Sequence, residues 1–490
     1  MTTINKKEKA PSIKKNFIYN TLYEVLAIVS PIITAPYVSR IFEADGVGIY
    51  SFTSAICSYF TMFAALGVKS YGQREVARCR EDRKAASKLF WELELMCVST
   101  TLLCCIVWLF LILFSPSYSV YYSVLTITLV ATAFDISWFW AGYEEYRFIV
   151  IRNSIIKIIG IVILFTCVHK KSDLLLYVLL IAAIGFLGNL SMWTYLPKYL
   201  ERVSIKEISL KRHYKETFVY FIPTIATSVY TILDKAMIGW ITKSDFENGY
   251  YEQATKILNI CKALVFSIIT VVSSRMSFLF AKGKNNEIKE RLINTIDFVM
   301  LFALPIMFGL IGIANRFVPF FFGEGYDASI LILIILAALL PIVGISNSLG
   351  SLYFTPSGQR ARSNKAIVTG AVVNLVLNLI LIPFYKSIGA AVASVIAELT
   401  ITSMYLYMAR DYFEAKQIVI LSWKRVLAAV TMLVLVLLIG KWVESSIVCI
   451  ILQAITGGIT YGTILLCLKD KFVIENVSKI LKKSIIIKEK

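Results

Sequence analysis

The chain has 490 residues, of which 58% are hydrophobic and only 17% charged, whereas about a quarter of the residues of a soluble domain carry charge. The formal net charge of +18 comes from Lys and Arg in short segments between apolar runs, which argues against a nucleic-acid partner. Nine cysteines and two histidines form no metal-ligand pattern, and no glycine-rich phosphate loop occurs, so we expect no metal and no other cofactor.

The first segments indicate a membrane protein. A basic tail leads into a full-length apolar run at 16–39, which is longer than the apolar region of a signal peptide, so no cleaved leader is expected. The run from Leu95 to Phe134 has no charged side chain and would measure roughly 60 Å as one helix, about twice the hydrocarbon thickness of a bilayer. Pro116 interrupts this run, which therefore predicts two membrane helices joined by a tight turn.

Apolar runs of spanning length continue along the chain and predict an all-α integral membrane protein with about fourteen transmembrane helices. The predicted spans are 16–39, 48–68, 89–114, 119–142, 148–168, 173–196, 216–240, 249–273, 292–314, 328–352, 364–384, 388–409, 424–441 and 445–468. His169 and His213 fall in predicted loops without partner ligands. The longest loop, Tyr71–Lys88, is interpreted as a basic amphipathic segment at the membrane surface.

Lys and Arg are distributed unevenly between alternate loops. One side, which includes both tails, carries about 39 of them and the other about 7. Because positive loops stay in the cytoplasm, both termini are predicted to be cytoplasmic, which fits an even number of spans. No extramembrane segment is long enough to form a domain of its own.

A short repeat relates the two halves of the chain. Gly48 and Tyr50 open the second span, and Gly249 and Tyr251 open the eighth in the same spacing. Six spans separate the copies, which predicts two pseudo-symmetric six-helix bundles around a central cavity that opens to alternate sides. Coincidence is the alternative, since Gly and Tyr are both common at helix starts near an interface.

The predicted organisation has six parts. They are a cytoplasmic basic tail at 1–15, a six-helix bundle at 16–200, a cytoplasmic linker at 201–215, a second six-helix bundle at 216–410, two further transmembrane helices within 411–468 and a basic cytoplasmic tail at 469–490.

Ionisable groups inside spans are costly and therefore mark candidate functional positions. Span 8 places Gln253, Lys256, Asn259 and Lys262 at steps of three, which predicts one slowly winding polar stripe. Lys262 lies too deep to reach the surface, so it either lines a cavity or pairs with an acidic neighbour, whereas Lys256 is close enough to extend to the interface. Basic cavity groups favour an anionic ligand such as a phosphate.

Other charged positions have two interpretations each. Asp234 and Lys235 either face the cleft or form a local charge pair, and Arg40 either joins an anion site or anchors the helix at the interface. Glu24 is deep enough to carry a proton or to pair with a lysine, and Lys157 either faces the cavity or extends to the interface. Asp135 is expected to be structural, and Asn374 and Asn378 share a helix face on which hydrogen bonds between helices are expected. Asp297 and Glu398 are further ionisable candidates, each expected to face either a wet cavity or a partner.

Several motifs resemble one family of membrane proteins. Asp135-Ile-Ser-Trp-Phe-Trp-Ala-Gly-Tyr-Glu-Glu-Tyr146 is similar to the fourth-span signature of bacterial polysaccharide flippases. The segments Pro36–Ile41, Gly46–Ser51, Leu233–Gly239 and Ser387–Ala393 are similar to that family too, although Arg is frequent where Lys235 stands. The chain thus resembles the Wzx-like flippases, of the O-antigen and capsule type, in the multidrug/oligosaccharidyl-lipid/polysaccharide exporter superfamily.

This resemblance implies a flippase that moves a polyprenyl-diphosphate-linked oligosaccharide from the inner to the outer leaflet of the bacterial plasma membrane, without enzymatic activity. It implies a cationic cavity that holds the diphosphate, for which Lys262, Lys256, Lys235 and Arg40 are the candidates, while Glu24, Asp234, Lys157 and Asn259 are the candidates for coupling or cavity lining. A polysaccharide polymerase and a chain-length regulator are further expected partners. The alternatives are a cation-coupled drug antiporter of the same superfamily, which would need acidic cavity residues, and a membrane polysaccharide polymerase.

Overall fold

The computed structural model describes residues 13–410, 412, 415–443 and 446–474, in which helices predominate and no strand occurs. Within these residues eleven helices are long and apolar enough to cross a membrane. They correspond to thirteen of the fourteen predicted spans, because two of the eleven contain a backbone break between two spans. The remaining predicted span, 216–240, falls on two shorter helices.

The chain divides into two compact units, Met1–Ala236 and Met237–Lys490. The first contains α1 Ile13–Ala65, α2 Val68–Cys79, α3 Arg83–Phe114, α4 Ser119–Ala131, α5 Ser137–Gly142, α6 Tyr146–Cys167, α7 Leu174–Ser191 and α8 Lys211–Thr231, and α9 Leu233–Thr242 crosses the division. The second contains α10 Asp245–Ala281, α11 Asn285–Phe322, α12 Asp327–Ala337, α13 Leu339–Leu349, α14 Arg360–Met408, α15 Ala415–Trp442 and α16 Ser446–Cys467.

Large apolar side chains cover the outside of these helices. In α3, Leu103 and Phe114 are 63% and 81% exposed, which would be costly in water and is favourable in lipid. The described part of the chain is therefore a multi-pass, all-helical membrane protein.

The two backbone breaks occur at charged residues in the left-handed region. Glu43 breaks α1 (φ 56°) and Lys386 breaks α14 (φ 50°), each between two predicted spans. Neither position has a glycine or proline, so ion pairs help to hold these conformations. Lys171 Nζ lies 2.8 Å from Glu43 Oε2 and 2.9 Å from Asp45 Oδ1, while Lys386 Nζ lies 3.3 Å from Glu247 Oε1.

Tyrosine contacts at matching positions of the two units agree with the predicted repeat. In the first unit, Tyr50 packs edge-on against Tyr177 of α7, with ring centroids 5.3 Å apart. In the second unit, Tyr251 forms a 3.3 Å hydrogen bond with Ser394 of α14, six predicted spans after Tyr177. In each unit, a tyrosine near the start of the second predicted span thus contacts the sixth predicted span.

An aromatic core lies within the first unit. Trp138, Phe139 and Trp140 of α5 are buried together with Phe90 of α3, and Phe90 stacks on Trp138 at 5.7 Å. The family-like motif is therefore largely a packing element. The buried face of α2, with Val68, Tyr71 and Val76, belongs to the same core, so the apolar side of this amphipathic helix packs on protein and not on the membrane surface.

Helix α8 lies with the first unit, although the sequence places 216–240 in the second bundle. It packs on α2 and α3. Its residue Phe221 is fully buried and also contacts Phe63 of α1. In the second unit, α15 and α16 pack on α11 and on each other. Gly312 of α11 allows this close approach, since a Cβ there would lie 2.6 Å from Val436 Cγ1.

Gly389 lies at a tight backbone contact next to the break in α14. A Cβ at this position would be 2.6 Å from the Leu381 carbonyl oxygen, and backbone cannot move aside as a side chain can. We expect Gly389→Ala to lower the free energy of unfolding by about 1–3 kcal/mol, measured by thermal unfolding in detergent. Gly160→Ala is the control, because a Cβ at Gly160 meets no atom within 4 Å; equal stability of both variants would contradict this prediction.

Candidate functional site

A polar cavity of about 760 Å³ lies within the first unit, between α1, α4, α6 and α7. Four charged residues contribute to its lining, namely Lys69, Asp135, Arg152 and Lys157. Three cations against one carboxylate give the lining a positive balance, which favours an anionic ligand. Uncharged polar side chains complete it, and they are Thr61, Ser70, Thr128, Thr132, Asn153, Asn189 and Thr224.

The end of α4 places Asp135 at this cavity. After Ala131 the helix tightens into a short 3₁₀ turn, and the Asp135 carboxylate accepts a 3.0 Å hydrogen bond from the Ser137 backbone N–H at the start of α5. Asn189 of α7 donates from Nδ2 to the Ala131 carbonyl oxygen at 2.7 Å. Both side chains thus satisfy backbone groups that helix ends leave unpaired. Asp135 has the expected structural role and also lines the cavity.

Arg152 donates hydrogen bonds to two asparagine side chains. Its Nε and Nη2 lie 2.9 and 2.6 Å from Asn153 Oδ1, and its Nη1 lies 3.3 Å from Asn189 Oδ1. Asn189 therefore links α4, α6 and α7, and it fixes the guanidinium at the wall of the cavity. A planar guanidinium fixed in this way is suited to phosphate oxygens, which it can bind through two donors at once.

Of the predicted site residues, Lys157 is the one that lines this cavity. The side chain of Glu24 lies outside the described residues. Asp234 is buried and Lys235 half-buried near the division between the units, while Arg40 is exposed.

The four residues of the predicted stripe on α10 differ in exposure. Gln253 is fully buried, Lys256 and Lys262 are half-buried, and Asn259 is exposed. Lys256 Nζ lies 3.6 Å from Glu252 Oε1, one turn away. Glu398 of α14 is close enough to Lys262 to interact electrostatically, which is the arrangement of the ion-pair alternative. A role of these lysines in binding diphosphate stays a prediction.

Sequence reasoning missed Lys69, Arg152, Asn153 and Asn189 as members of one site. Arg152 and Asn153 lie near the start of the predicted span 148–168, and Asn189 is a single polar residue near the end of the predicted span 173–196. The signal in the sequence was that Arg152 and Asn153 are adjacent at the start of an apolar run. This signal alone does not identify Asn189 of α7 as their neighbour.

His213 is not the partnerless loop residue that the sequence predicts. It lies in α8, is fully buried, and its Nε2 is 2.8 Å from Glu92 Oε2, while Tyr71 lies 3.0 Å from its Nδ1. Glu92 Oε1 also accepts a 2.9 Å hydrogen bond from the Ser209 backbone N–H. This buried network ties the beginning of α8 and the segment before it to α2 and α3.

A second buried charge network fixes the two last helices. Arg425 of α15 contacts Asp297 of α11 at 2.5 Å and Asp470, beyond α16, at 3.4 Å. All three side chains are less than a tenth exposed. Arg425 lies at the start of the predicted span 424–441, and the structure places it inside the packing of the second unit.

Comparison with known proteins agrees with the resemblance in the motifs. The model of the polysaccharide biosynthesis protein family matches residues 13–280, more than half of the chain. A protein of Escherichia coli (strain K12) named as an O-antigen transporter is 22% identical over 414 residues, which are 82% of this chain and 97% of that protein. A low-salt glycan biosynthesis flippase of Haloferax volcanii is 27% identical over 222 residues, 44% of this chain and 45% of that one.

Solved structures with low sequence identity share the fold. The lipid II flippase MurJ in an inward closed conformation superimposes with a TM-score of 0.72 at 17% identity, covering 93% of this chain and 99% of MurJ. An inward-facing multidrug transporter of the MATE family superimposes with a TM-score of 0.58 at 13% identity, covering 83% of this chain and 99% of the transporter. By its sequence match and its architecture, the chain belongs to the polysaccharide biosynthesis protein family.

Proposed function

We propose that this protein is a flippase that moves a polyprenyl-diphosphate-linked oligosaccharide repeat unit across the plasma membrane, for assembly of a surface polysaccharide. The observation that carries the proposal is a cavity with a positive lining, built from Lys69, Arg152 and Lys157, in a membrane protein of the polysaccharide biosynthesis family. A diphosphate in a membrane needs cationic or hydrogen-bonding partners, because an isolated charge in hydrocarbon is very costly.

The proposed mechanism is alternating access between the two sides of the membrane, with both termini in the cytoplasm. The diphosphate binds Lys157 and Arg152, the sugars occupy the polar cavity, and the lipid chain stays in apolar surroundings. An ion gradient or the membrane potential supplies the energy, since moving one charge through 100 mV is worth about 2.3 kcal/mol. Glu24 and Asp234 are the proposed coupling carboxylates, and a polymerase and a chain-length regulator are proposed partners after translocation.

A drug antiporter that takes cationic substrates is the alternative within this fold. Such a substrate requires carboxylates at the site, because like charges disfavour binding. In the described cavity Asp135 is the one carboxylate among three cations. The charge balance therefore favours the anionic lipid.

Removing the cavity charge is expected to reduce transport. In proteoliposomes loaded with a fluorescent polyprenyl-diphosphate oligosaccharide, we expect Lys157→Gln to lower the translocation rate by about tenfold, because one charge-assisted hydrogen bond is lost. Lys157→Arg, which keeps the charge, is expected to retain most of the activity. Lys198→Gln is the matched control, since Lys198 is exposed and is not among the cavity residues.

Two further arms test the lysine on α10 and the function itself. If Lys262 binds diphosphate, Lys262→Ala abolishes transport while Lys262→Arg preserves it, and unchanged transport in Lys262→Ala removes this residue from the site. Absence of translocation by the wild-type protein, with the labelled lipid in the accessible leaflet, contradicts the proposed function as a whole.

A further inference from the structure

An apolar groove of about 600 Å³ lies between α6 and α7 on the first unit. Five isoleucines contribute to its lining, including Ile151, Ile155 and Ile159 from one side of α6. Ile155 is 51% exposed and Leu187 of α7 is 63% exposed, so the groove is open at its surface. In a membrane-spanning unit such a groove is filled by a hydrocarbon chain.

The groove and the polar cavity meet at shared residues. Arg152 and Ile156 contribute to both, and Gly188 of the groove directly precedes Asn189 of the cavity. The apolar groove thus borders a guanidinium, and a polar space of about 760 Å³ lies beside it. The apolar groove, the guanidinium and the polar cavity thus match the three parts of the proposed substrate, which are the lipid chain, the diphosphate and the sugars.

The groove is better suited to a polyprenyl chain than to a phospholipid. A polyprenyl diphosphate enters with a single chain, which one channel between two helices can accept, whereas a phospholipid brings two acyl chains to one headgroup. The headgroups also differ, because a diphosphate has more negative charge than the single phosphate of a phospholipid, and Arg152 and Lys157 both line the cavity.

We infer that the α6–α7 groove binds the first isoprene units of the lipid chain, with Arg152 at the diphosphate and the sugars in the cavity beyond it. This inference rests on the proposed function and specifies where the substrate chain lies. Arg152 is then a substrate-binding residue that also separates the apolar and polar parts of the site.

The test uses the full-length protein in nanodiscs and a polyprenyl diphosphate with a photoreactive group on an isoprene unit near the phosphate. Crosslinked peptides identified by mass spectrometry are expected from residues 148–159 and 184–195. We expect Ile155→Trp, which fills the groove, and Arg152→Gln each to lower crosslinking by about tenfold. Arg152→Lys is expected to retain part of it. Ile158→Trp is the matched control, because Ile158 is 53% exposed on the same helix and lies outside the groove lining.

Three outcomes overturn the inference. They are labelling of other helices, equal labelling of Ile155→Trp and wild type, and equal competition by phosphatidylglycerol and by unlabelled polyprenyl diphosphate. Because crosslinking needs no transport, the result is independent of the translocation assay. If the protein transports the lipid but is not labelled in the groove, the proposed function stands and this inference is wrong. If it is labelled in the groove but does not transport the lipid, the groove binds the chain and the proposed function is wrong.

Discussion

Arg425→Met is expected to lower the free energy of unfolding by about 3–5 kcal/mol, because it leaves two buried carboxylates without their cation. The Arg425 side chain is 1% exposed, and those of Asp297 and Asp470 are 8% and 6% exposed. The guanidinium also donates to the Asp297 backbone carbonyl oxygen at 2.6 Å. Water therefore cannot replace the lost contacts, and the like charges of the carboxylates add to the cost.

The loss of stability should be largest in the helices that Arg425 holds together. Arg425 joins the beginning of α15 both to α11 and to the segment after α16, so we expect proteases to cleave that segment, Lys469–Ile474, faster in the variant. Thermal unfolding in detergent measures the stability and limited proteolysis measures the release of the two helices. Lys416→Met is the control, because Lys416 is exposed on the same helix.

A compensated variant separates the ion network from simple loss of packing. Arg425→Met combined with Asp297→Leu and Asp470→Asn removes the buried charges together and keeps an acceptor for the Val473 backbone N–H, which now donates to Asp470 at 3.1 Å. Replacement of a buried ion network by apolar groups is often close to neutral, so most of the stability should return. If the single variant is as stable as the wild type, the network has no anchoring role.

Glu92→Leu is the second substitution with a large expected effect, about 3 kcal/mol or more. Glu92 is fully buried and accepts hydrogen bonds from the Ser209 backbone N–H and from His213, so the substitution leaves both partners unsatisfied. Arg212 also contacts this carboxylate at 3.2 Å, but its side chain is 64% exposed and solvent screens the pair.

The segment before α8 should report the effect most directly. Because Ser209 and His213 are tied to α3 through Glu92, we expect faster proteolysis at 201–210 and a lower unfolding temperature in Glu92→Leu. Glu201→Gln is the control, since Glu201 is exposed and its pair with Arg83 is 3.8 Å long, and it should change stability by less than about 0.5 kcal/mol. Equal cleavage rates in the two variants would refute the tie.

The membrane spans were predictable from sequence because each depends on a local, continuous run of apolar residues. The run from Leu95 to Phe134 contains both α3 and α4, with the turn at Pro116 as predicted. The breaks at Glu43 and Lys386 have no such signal, since positive φ at a charged residue depends on ion pairs with other segments. The boundaries between predicted spans gave the approximate positions of the two breaks, but not their backbone conformation.

The site was less predictable, because charge counts do not distinguish one Lys or Arg from another. Arg425 and Arg152 both appear at the ends of apolar runs, yet one is buried with Asp297, 128 positions away, and the other lines a cavity with Asn189. Such partners follow from packing between helices that are distant in the chain. Lys157 was identified because a lysine in the middle of an apolar run has few inexpensive environments.

The aromatic core of the first unit has a consequence for classifying related proteins. The side chains of the Trp138-Phe139-Trp140 segment, which is similar to the family signature, are buried in this core and do not line the cavity. Relatives with this segment can therefore differ in the glycan they carry. Grouping such proteins by cargo should compare the positions of Asn153, Lys157 and Asn189, and disregard the tryptophans.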